Sequence, residues 1–176
     1  MNAPLVTPLT PPAHLDLGPA DLRWTWCRFE ALSLHDLYDA LQLRARVFIL
    51  EQGPYLDPDG LDQSAWHLLG RGPDGTLLAY LRVVDPGLKY AEPSIGRVVN
   101  DARVRGTGIG RALVGEGVAR CLAAFPGEGI RISAQAHLQG FYGGFGFITL
   151  GEPYLEDEIP HVEMLRPAAQ PPGRGP

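Results

Sequence analysis

The residues best suited to chemistry are the glycines of Arg105-Gly106-Thr107-Gly108-Ile109-Gly110-Arg111, which follow a strand-like run at residues 94–100 and open a helical stretch. Alternate glycines let the main chain approach an anion closely, and the first turn of a helix offers N–H groups that no intrahelical carbonyl satisfies. The segment therefore predicts a cradle for a pyrophosphate. It matches neither the Gly-Lys-Ser/Thr ending of a nucleoside triphosphate loop nor the spacing of a dinucleotide fold. Taken alone, a tight turn is the alternative.

A second segment favours the anion-binding interpretation. Residues 135–147 read Gln-Ala-His-Leu-Gln-Gly-Phe-Tyr-Gly-Gly-Phe-Gly-Phe and follow directly on a strand-like run at 130–134. The Arg-x-x-Gly-x-Gly pattern and the later aromatic-Tyr-x-x-x-Gly-Phe pattern resemble two signatures of the GNAT superfamily of acetyl-CoA-dependent N-acetyltransferases. Further blocks at 43–52, 95–98 and 154–161 resemble the ElaA-type branch of that superfamily. Several blocks in family order are more specific than one glycine motif.

The resemblance implies an α/β fold. We expect a single GNAT-like domain with a mixed, mostly antiparallel twisted sheet flanked by helices, whose central strands splay to admit acetyl-CoA. It also implies direct transfer of an acetyl group to a primary amine of a small molecule or peptide, with acetyl-CoA as co-substrate and no metal. Cofactor contacts are assigned to Arg97, Val98, Val99, Arg105, Gly106, Thr107, Gly108, Ile109, Gly110, Arg111 and Gln135. The alternatives are a non-catalytic acyl-CoA-binding sensor on the same fold and, more distantly, an unrelated phosphate-binding domain.

Tyr142 is the candidate general acid. Leu138, Phe141 and Phe145 share one face of the predicted late helix, and Tyr142 is turned roughly 100° from Phe141, toward the ends of the strands. A tyrosine with an ordinary pKa of about 10 still protonates a thiolate at neutral pH. A packed aromatic with a satisfied hydroxyl is the structural alternative.

The general base is less defined. The resemblance points to Glu92, because family members with a glutamate base carry it at this spacing before the glycine loop. His67 and His161 are alternatives, since histidine titrates near neutral pH.

The acceptor side is expected to include Glu51, Tyr55, His67 and His161. The acidic stretch at 57–62 lacks the register and closing glutamate of an EF-hand loop, so it is expected to be a turn-forming loop on that side. Arg97 lies in an otherwise apolar strand and is costly to bury without a partner. An ion pair with the acidic residues 156–158 is expected, and a place at the acceptor site is the alternative.

One domain is expected to position these groups. The chain has 176 residues, and nine of its 17 prolines fall in residues 1–20 and 167–176, which are therefore expected to be disordered tails around a domain at 21–166. A capping box at Ser33 predicts the start of the first helix. A turn at 73–75 predicts a hairpin, and a helix over 108–125 between two strands predicts a parallel βαβ unit.

Composition excludes some partners. The net charge of −5 and the lack of a Lys/Arg cluster in the sequence argue against nucleic acid as a partner. The sequence contains no run long enough to span a membrane and no secretory signal, and its two cysteines are expected to be reduced, so a cytoplasmic location is expected. A homodimer is left open.

Overall fold

A single mixed sheet with three helices organises the part of the chain that the structure, a computed structural model, describes: residues 13–53 and 56–168. The strands are β1 (Arg23–Arg28), β2 (Ala65–Arg71), β3 (Leu77–Val84), β4 (Ser94–Asn100), β5 (Ile130–Gln135), β6 (Ile148–Glu156) and β7 (Ile159–Arg166). The helices are α1 (Leu34–Arg44), α2 (Ile109–Ala124) and α3 (Gln139–Gly143). The strand order across the sheet is β1-β2-β3-β4-β5-β7-β6.

The central strands separate, as expected. β4 and β5 are the only parallel neighbours in the described sheet, and just one pair of residues, Ser94 and Arg131, is in register between them. Beyond that pair the two strands diverge toward Asn100 and Gln135, so the sheet opens at its centre. The expected fold is confirmed.

Local sequence signals explain where the elements begin and end. Ser33 accepts a hydrogen bond from Asp36 N (3.0 Å) while the Asp36 carboxylate accepts one from Ser33 N (3.2 Å), which is the predicted capping box. Gly75, with φ of 82°, completes the turn between β2 and β3. The helix expected over 108–125 is α2, which starts after Gly108. After α1 the chain continues through a wide helical turn, Ala45–Ile49.

Both faces of the sheet are covered. Helix α2 packs on one face against a large apolar cluster that includes Leu81 and Leu113, and α1 packs on the other against Tyr80 and Val99. A methyl group on Gly117 would lie 2.6 Å from Leu81 Cδ2, so the absence of a side chain lets α2 lie close to β3. Both helices are thereby fixed against the strands that border the central opening.

The expectation of a disordered tail up to residue 20 is wrong for residues 13–20. Leu15 N donates to Arg103 O (2.9 Å), and the side chains of Leu15 and Leu17 pack against the core cluster. Apolar contacts and a main-chain hydrogen bond hold this segment on the domain despite its proline content. Residues 1–12 and 169–176 lie outside the described residues. No helix of the described chain is both long and apolar enough to cross a membrane.

Candidate active site

The glycine loop joins the end of β4 to the start of α2. Gly106 and Gly108 adopt φ of 82° and 88°, a left-handed conformation that strains other residues. The Thr107 hydroxyl donates to Val104 O (2.9 Å) and fixes the turn. The N–H groups of residues 106–109 donate to no atom of the described chain. They precede a helix of 16 residues, so helix dipole and free donors favour an anion together.

The start of α2 is held tightly against β4. A Cβ on Gly110 would lie 2.6 Å from the side-chain amide of Asn100. With its amide oriented to satisfy both groups, Asn100 accepts a hydrogen bond from Gly110 N (3.1 Å) and donates to Val99 O (3.2 Å). The Arg111 guanidinium lies 5.3 Å from the centre of the Phe145 ring. These contacts fix the start of α2 against β4 and against the segment between α3 and β6.

A cleft of about 570 Å³ occupies the opening between β4 and β5. Its lining includes Phe48, Gln52, Lys89, Arg97, Val98, Ile132, Ser133, Gln135, Leu138, Tyr142, Glu156 and His161. Of the residues assigned to the cofactor, Arg97, Val98 and Gln135 line the cleft. Val99 is buried beside α1, and residues 105–111 of the glycine loop are not among the lining residues. Gln135 Nε2 donates to Gln52 Oε1 (3.2 Å).

A bulge in β4 shapes one wall of this cleft. Val99 pairs with Tyr80 and Gly96 with Arg82, so two residues of β4, Arg97 and Val98, lie opposite one residue of β3. Arg97 has φ of 53°, which breaks the regular pairing with β3. The bulge interrupts the regular pairing of the main chain near Val98 with β3, a point that side-chain identity alone could not reveal.

Tyr142 lies at the boundary between core and cleft. It is 7% exposed and contacts the rings of Phe141 and Phe147 edge-on. Burial raises the pKa of its hydroxyl to about 12. The hydroxyl has no hydrogen-bond partner within residues 13–53 and 56–168, and the side chain lines the cleft. Tyr142 is therefore protonated at neutral pH, and it serves as a packed aromatic as well as a cleft residue.

Glu92, the base suggested by the resemblance, is engaged elsewhere. Its two carboxylate oxygens accept hydrogen bonds from Arg131 at 2.8 and 2.9 Å, and Arg131 also contacts Glu163 (2.9 Å). The hydrogen bonds from Arg131 hold the pKa of Glu92 below its usual range. Glu92 does not contribute to the lining of the cleft. The structure gives no support to Glu92 as the base.

The two histidines have different environments. His67 is 1% exposed, with Nδ1 2.8 Å from the Tyr80 hydroxyl and Nε2 3.0 Å from Asp62 O, and desolvation lowers its pKa. It is a core residue outside the cleft, so its expected place at the acceptor site is wrong. His161 lines the cleft, and its Nδ1 donates to Ile159 O (2.8 Å). Because a carbonyl oxygen can only accept, the neutral ring keeps the lone pair of Nε2 available as a base.

Arg97 belongs to a cluster of six charged residues, which we call the ion cluster: Arg44, Arg82, Arg97, Asp57, Asp59 and Asp62. Arg97 lies 2.8 Å from Asp57 and 3.2 Å from Asp59, not beside residues 156–158, so its expected partner is wrong. The bulge in β4 explains the change, because it interrupts the strand at Arg97.

The other members of the ion cluster tie the acidic loop to α1 and β3. Arg44 contacts Asp57 (2.8 Å) and Asp62 (2.9 Å), and Arg82 contacts Asp62 (2.7 Å) as well as Asp59. Burial opposes ionisation of Asp59 and Asp62, but hydrogen bonds from the arginines outweigh it and lower both pKa values. The acidic stretch is thus a fixed loop beside the cleft.

Two further acceptor-side expectations have different outcomes. Glu51 forms a two-oxygen ion pair with Arg105 (2.8 and 3.0 Å), so it lies beside the glycine loop and not in the lining of the cleft. Tyr55 lies outside the described residues.

Sequence reasoning missed Ser133, whose hydroxyl lies 2.7 Å from Glu156 and 2.6 Å from the Tyr154 hydroxyl. Alternation along β5 is the signal that could have placed Ser133 on the cleft face with Gln135.

Comparison with known proteins agrees with this geometry. Residues 67–166 match the model of the acetyltransferase (GNAT) domain, and the chain belongs to this family of N-acyltransferases, which use an acyl-CoA co-substrate and an amine acceptor. A UPF0039 protein of Synechocystis is 44% identical, over 82% of this chain and 95% of its own. Protein ElaA of Escherichia coli is 39% identical, over 85% and 99%. The crystal structure of an acyl-CoA N-acyltransferase from Pseudomonas aeruginosa superposes with a TM-score of 0.79 at 43% identity, covering 82% of this chain and 99% of that one.

Proposed function

We propose that this protein transfers an acetyl group from acetyl-CoA directly to a primary amine. One observation carries the proposal: the free N–H groups of residues 106–109 follow β4, whose residues 95–98 line the cleft together with Tyr142. Asn100, at the end of β4, accepts a hydrogen bond from Gly110 N and ties the loop to that strand. A ligand with a pyrophosphate at the glycine loop can extend its pantetheine chain between β4 and β5. The bulge at Arg97 and Val98 interrupts the pairing of β4 with β3 where the resemblance assigns contacts to the thioester carbonyl.

The residues suit a direct transfer. Donors near Val98 stabilise negative charge that develops on the carbonyl oxygen. His161 takes a proton from the amine through Nε2 as the nitrogen attacks the carbonyl carbon. The carbon–sulfur bond then breaks, and Tyr142 gives its proton to the departing sulfur, so the products are an amide and a thiol. With its pKa raised to about 12, Tyr142 keeps that proton until the thiolate forms.

The test is a thiol-release assay with acetyl-CoA and a panel of amines that includes peptides, followed by a comparison of Tyr142→Phe with wild type. The substitution keeps the ring and its packing and deletes the hydroxyl. General acid catalysis supplies about 10²- to 10⁴-fold, so kcat should fall by that factor. Affinity for acetyl-CoA, measured by calorimetry, should stay within about twofold.

Tyr38→Phe is the matched control, because Tyr38 is 67% exposed and lies on α1 outside the cleft. Its kcat should equal that of wild type. A Tyr142→Phe protein with unchanged kcat would reject Tyr142 as the acid. If the wild type binds acetyl-CoA but transfers acetyl to no amine, the chain is better explained as an acyl-CoA-binding sensor.

A further inference from the structure

Several charged side chains line the cleft, and they differ in how they are paired. Arg97 and Asp59 contact each other within the ion cluster. Lys89, the one lysine of the sequence, and Glu156 also line the cleft. Within the described part of the chain, no carboxylate lies within 4.0 Å of Lys89 and no cationic group lies within that distance of Glu156. Among the described residues, the cleft is therefore lined by one ammonium group, that of Lys89, and two carboxylates without an ion-pair partner, those of Glu156 and the more exposed Asp157.

The surroundings of Lys89 leave its charge only partly compensated. Its nearest aromatic contact is the ring of Tyr90, whose centre lies 5.3 Å from Nζ. Desolvation lowers the pKa of Lys89, Glu156 opposes this effect, and the positive charge of Arg97 adds to it. Lys89 is an exposed residue, so an anion beside Nζ would mainly offset the repulsion from Arg97.

Glu156 provides the opposite charge. Its carboxylate accepts a hydrogen bond from the Ser133 hydroxyl (2.7 Å), which fixes its position on the cleft wall. The Ser133 hydroxyl is itself 2.6 Å from the Tyr154 hydroxyl, so neutral hydroxyl groups anchor Glu156 on the cleft wall. A ligand that carries both an ammonium and an anion can satisfy Glu156 and Lys89 at once.

We propose that the acceptor is an amine that also carries a carboxylate, as in an amino acid or a short peptide, and that Lys89 binds this carboxylate while Glu156 attracts the amine. The inference rests on the proposed acetyl transfer and narrows its acceptor class. Amines without an anionic group leave Lys89 uncompensated and are poorer acceptors. Hydrogen bonds to charged groups are strong enough for this contact to discriminate by roughly 10- to 100-fold.

The experiment compares acceptors that differ in this one charge. Alanine, glutamate, phenylalanine and the dipeptide Ala-Ala are each tested beside the corresponding C-terminal amide, which keeps the amine and nearly the same size. Thiol release at saturating acetyl-CoA gives kcat/KM for each member of a pair. The wild type should prefer at least one of the acids over its amide by about 10-fold or more.

Variants then test whether Lys89 is the cause. Lys89→Met should lower the ratio of acid to amide by roughly 10- to 100-fold, and Lys89→Arg should retain it. Arg120→Met is the matched control, because it also removes one positive charge but lies on α2 outside the cleft. It should leave the ratio as in wild type.

Each other outcome rejects the inference. Equal kcat/KM for all acids and amides would overturn it while leaving acetyl transfer intact. A ratio that survives Lys89→Met would assign the preference to another residue. Lys89→Met could instead weaken acetyl-CoA binding in calorimetry and leave the acid-to-amide ratio unchanged. Lys89 would then contact acetyl-CoA and not the acceptor. Transfer to no amine at all would overturn the proposed function and this inference with it.

Discussion

Gly108 offers a direct test of the anion cradle, because a glycine with the same backbone conformation lies elsewhere on the domain. Gly108 has φ of 88° and Gly127, in the turn after α2, has φ of 85°. Both are exposed, a Cβ at Gly127 would meet nothing within 4 Å, and a Cβ at Gly108 would meet only Pro19 at an ordinary 3.7 Å. Replacing either residue by alanine therefore imposes backbone strain without a clash.

The two substitutions should have similar effects on the free energy of unfolding but different effects on acetyl-CoA binding. Alanine in the left-handed region costs about 1–2 kcal/mol, so both variants should lose a similar free energy of unfolding. At Gly108, relief of this strain also changes the direction of the loop N–H groups that we propose bind the pyrophosphate. Losing one charge-assisted hydrogen bond weakens acetyl-CoA binding by roughly 10- to 100-fold. At Gly127 the affinity should not change.

Urea unfolding and calorimetric titration with acetyl-CoA measure the two quantities on the same preparations. The informative comparison is Gly108→Ala with Gly127→Ala, since their strain is matched. If the two variants lose equal stability and bind acetyl-CoA with equal affinity, the loop is not the pyrophosphate site and the proposed function loses its main support.

Three further predictions follow from contacts described above. Deleting residues 1–20 removes the two docked leucines and should lower the free energy of unfolding by about 1–3 kcal/mol in urea titrations; an unchanged midpoint would show that the segment contributes nothing. The depressed carboxyl pKa values in the ion cluster stabilise the fold at neutral pH. That stability should fall as the pH drops below about 4, where the unfolded chain takes up protons that the folded carboxylates resist, and equal unfolding free energies at pH 5 and pH 3 would contradict this. His161→Gln should reduce kcat by about 10²-fold or more in steady-state assays, whereas Glu92→Gln should stay within about twofold; the reverse order would restore Glu92 as the base.

Features set by neighbouring residues were predictable from the sequence. The capping box at Ser33 and the helix after Gly108 depend on residues within one turn of each other, and the structure confirms both. The parallel pairing of β4 and β5 follows from a strand, helix and strand in succession, because such a crossover joins parallel strands.

Features set by distant residues were not predictable in the same way. The partner of Arg97 is 40 positions away along the chain at Asp57, and Glu92 pairs with Arg131 at a separation of 39. Which carboxylate pairs with a given arginine depends on the bulge in β4 and on the paths of the loops. Neither produces a periodic pattern in the sequence. Glu51 was misplaced for the same reason, because its partner Arg105 is 54 positions away.

The separation of β4 and β5 divides the hydrogen-bonded network into two parts, β1 to β4 and β5 to β7, which share one in-register pair and the packing of α2. Such parts behave as separate opening units in native-state hydrogen exchange. Amides along the facing edges of β4 and β5 should exchange faster than those of β3. A ligand that spans the gap closes it, so bound acetyl-CoA should slow exchange on both edges together, by an amount that grows with its concentration relative to Kd. The donor would then complete the sheet as well as supply the acetyl group.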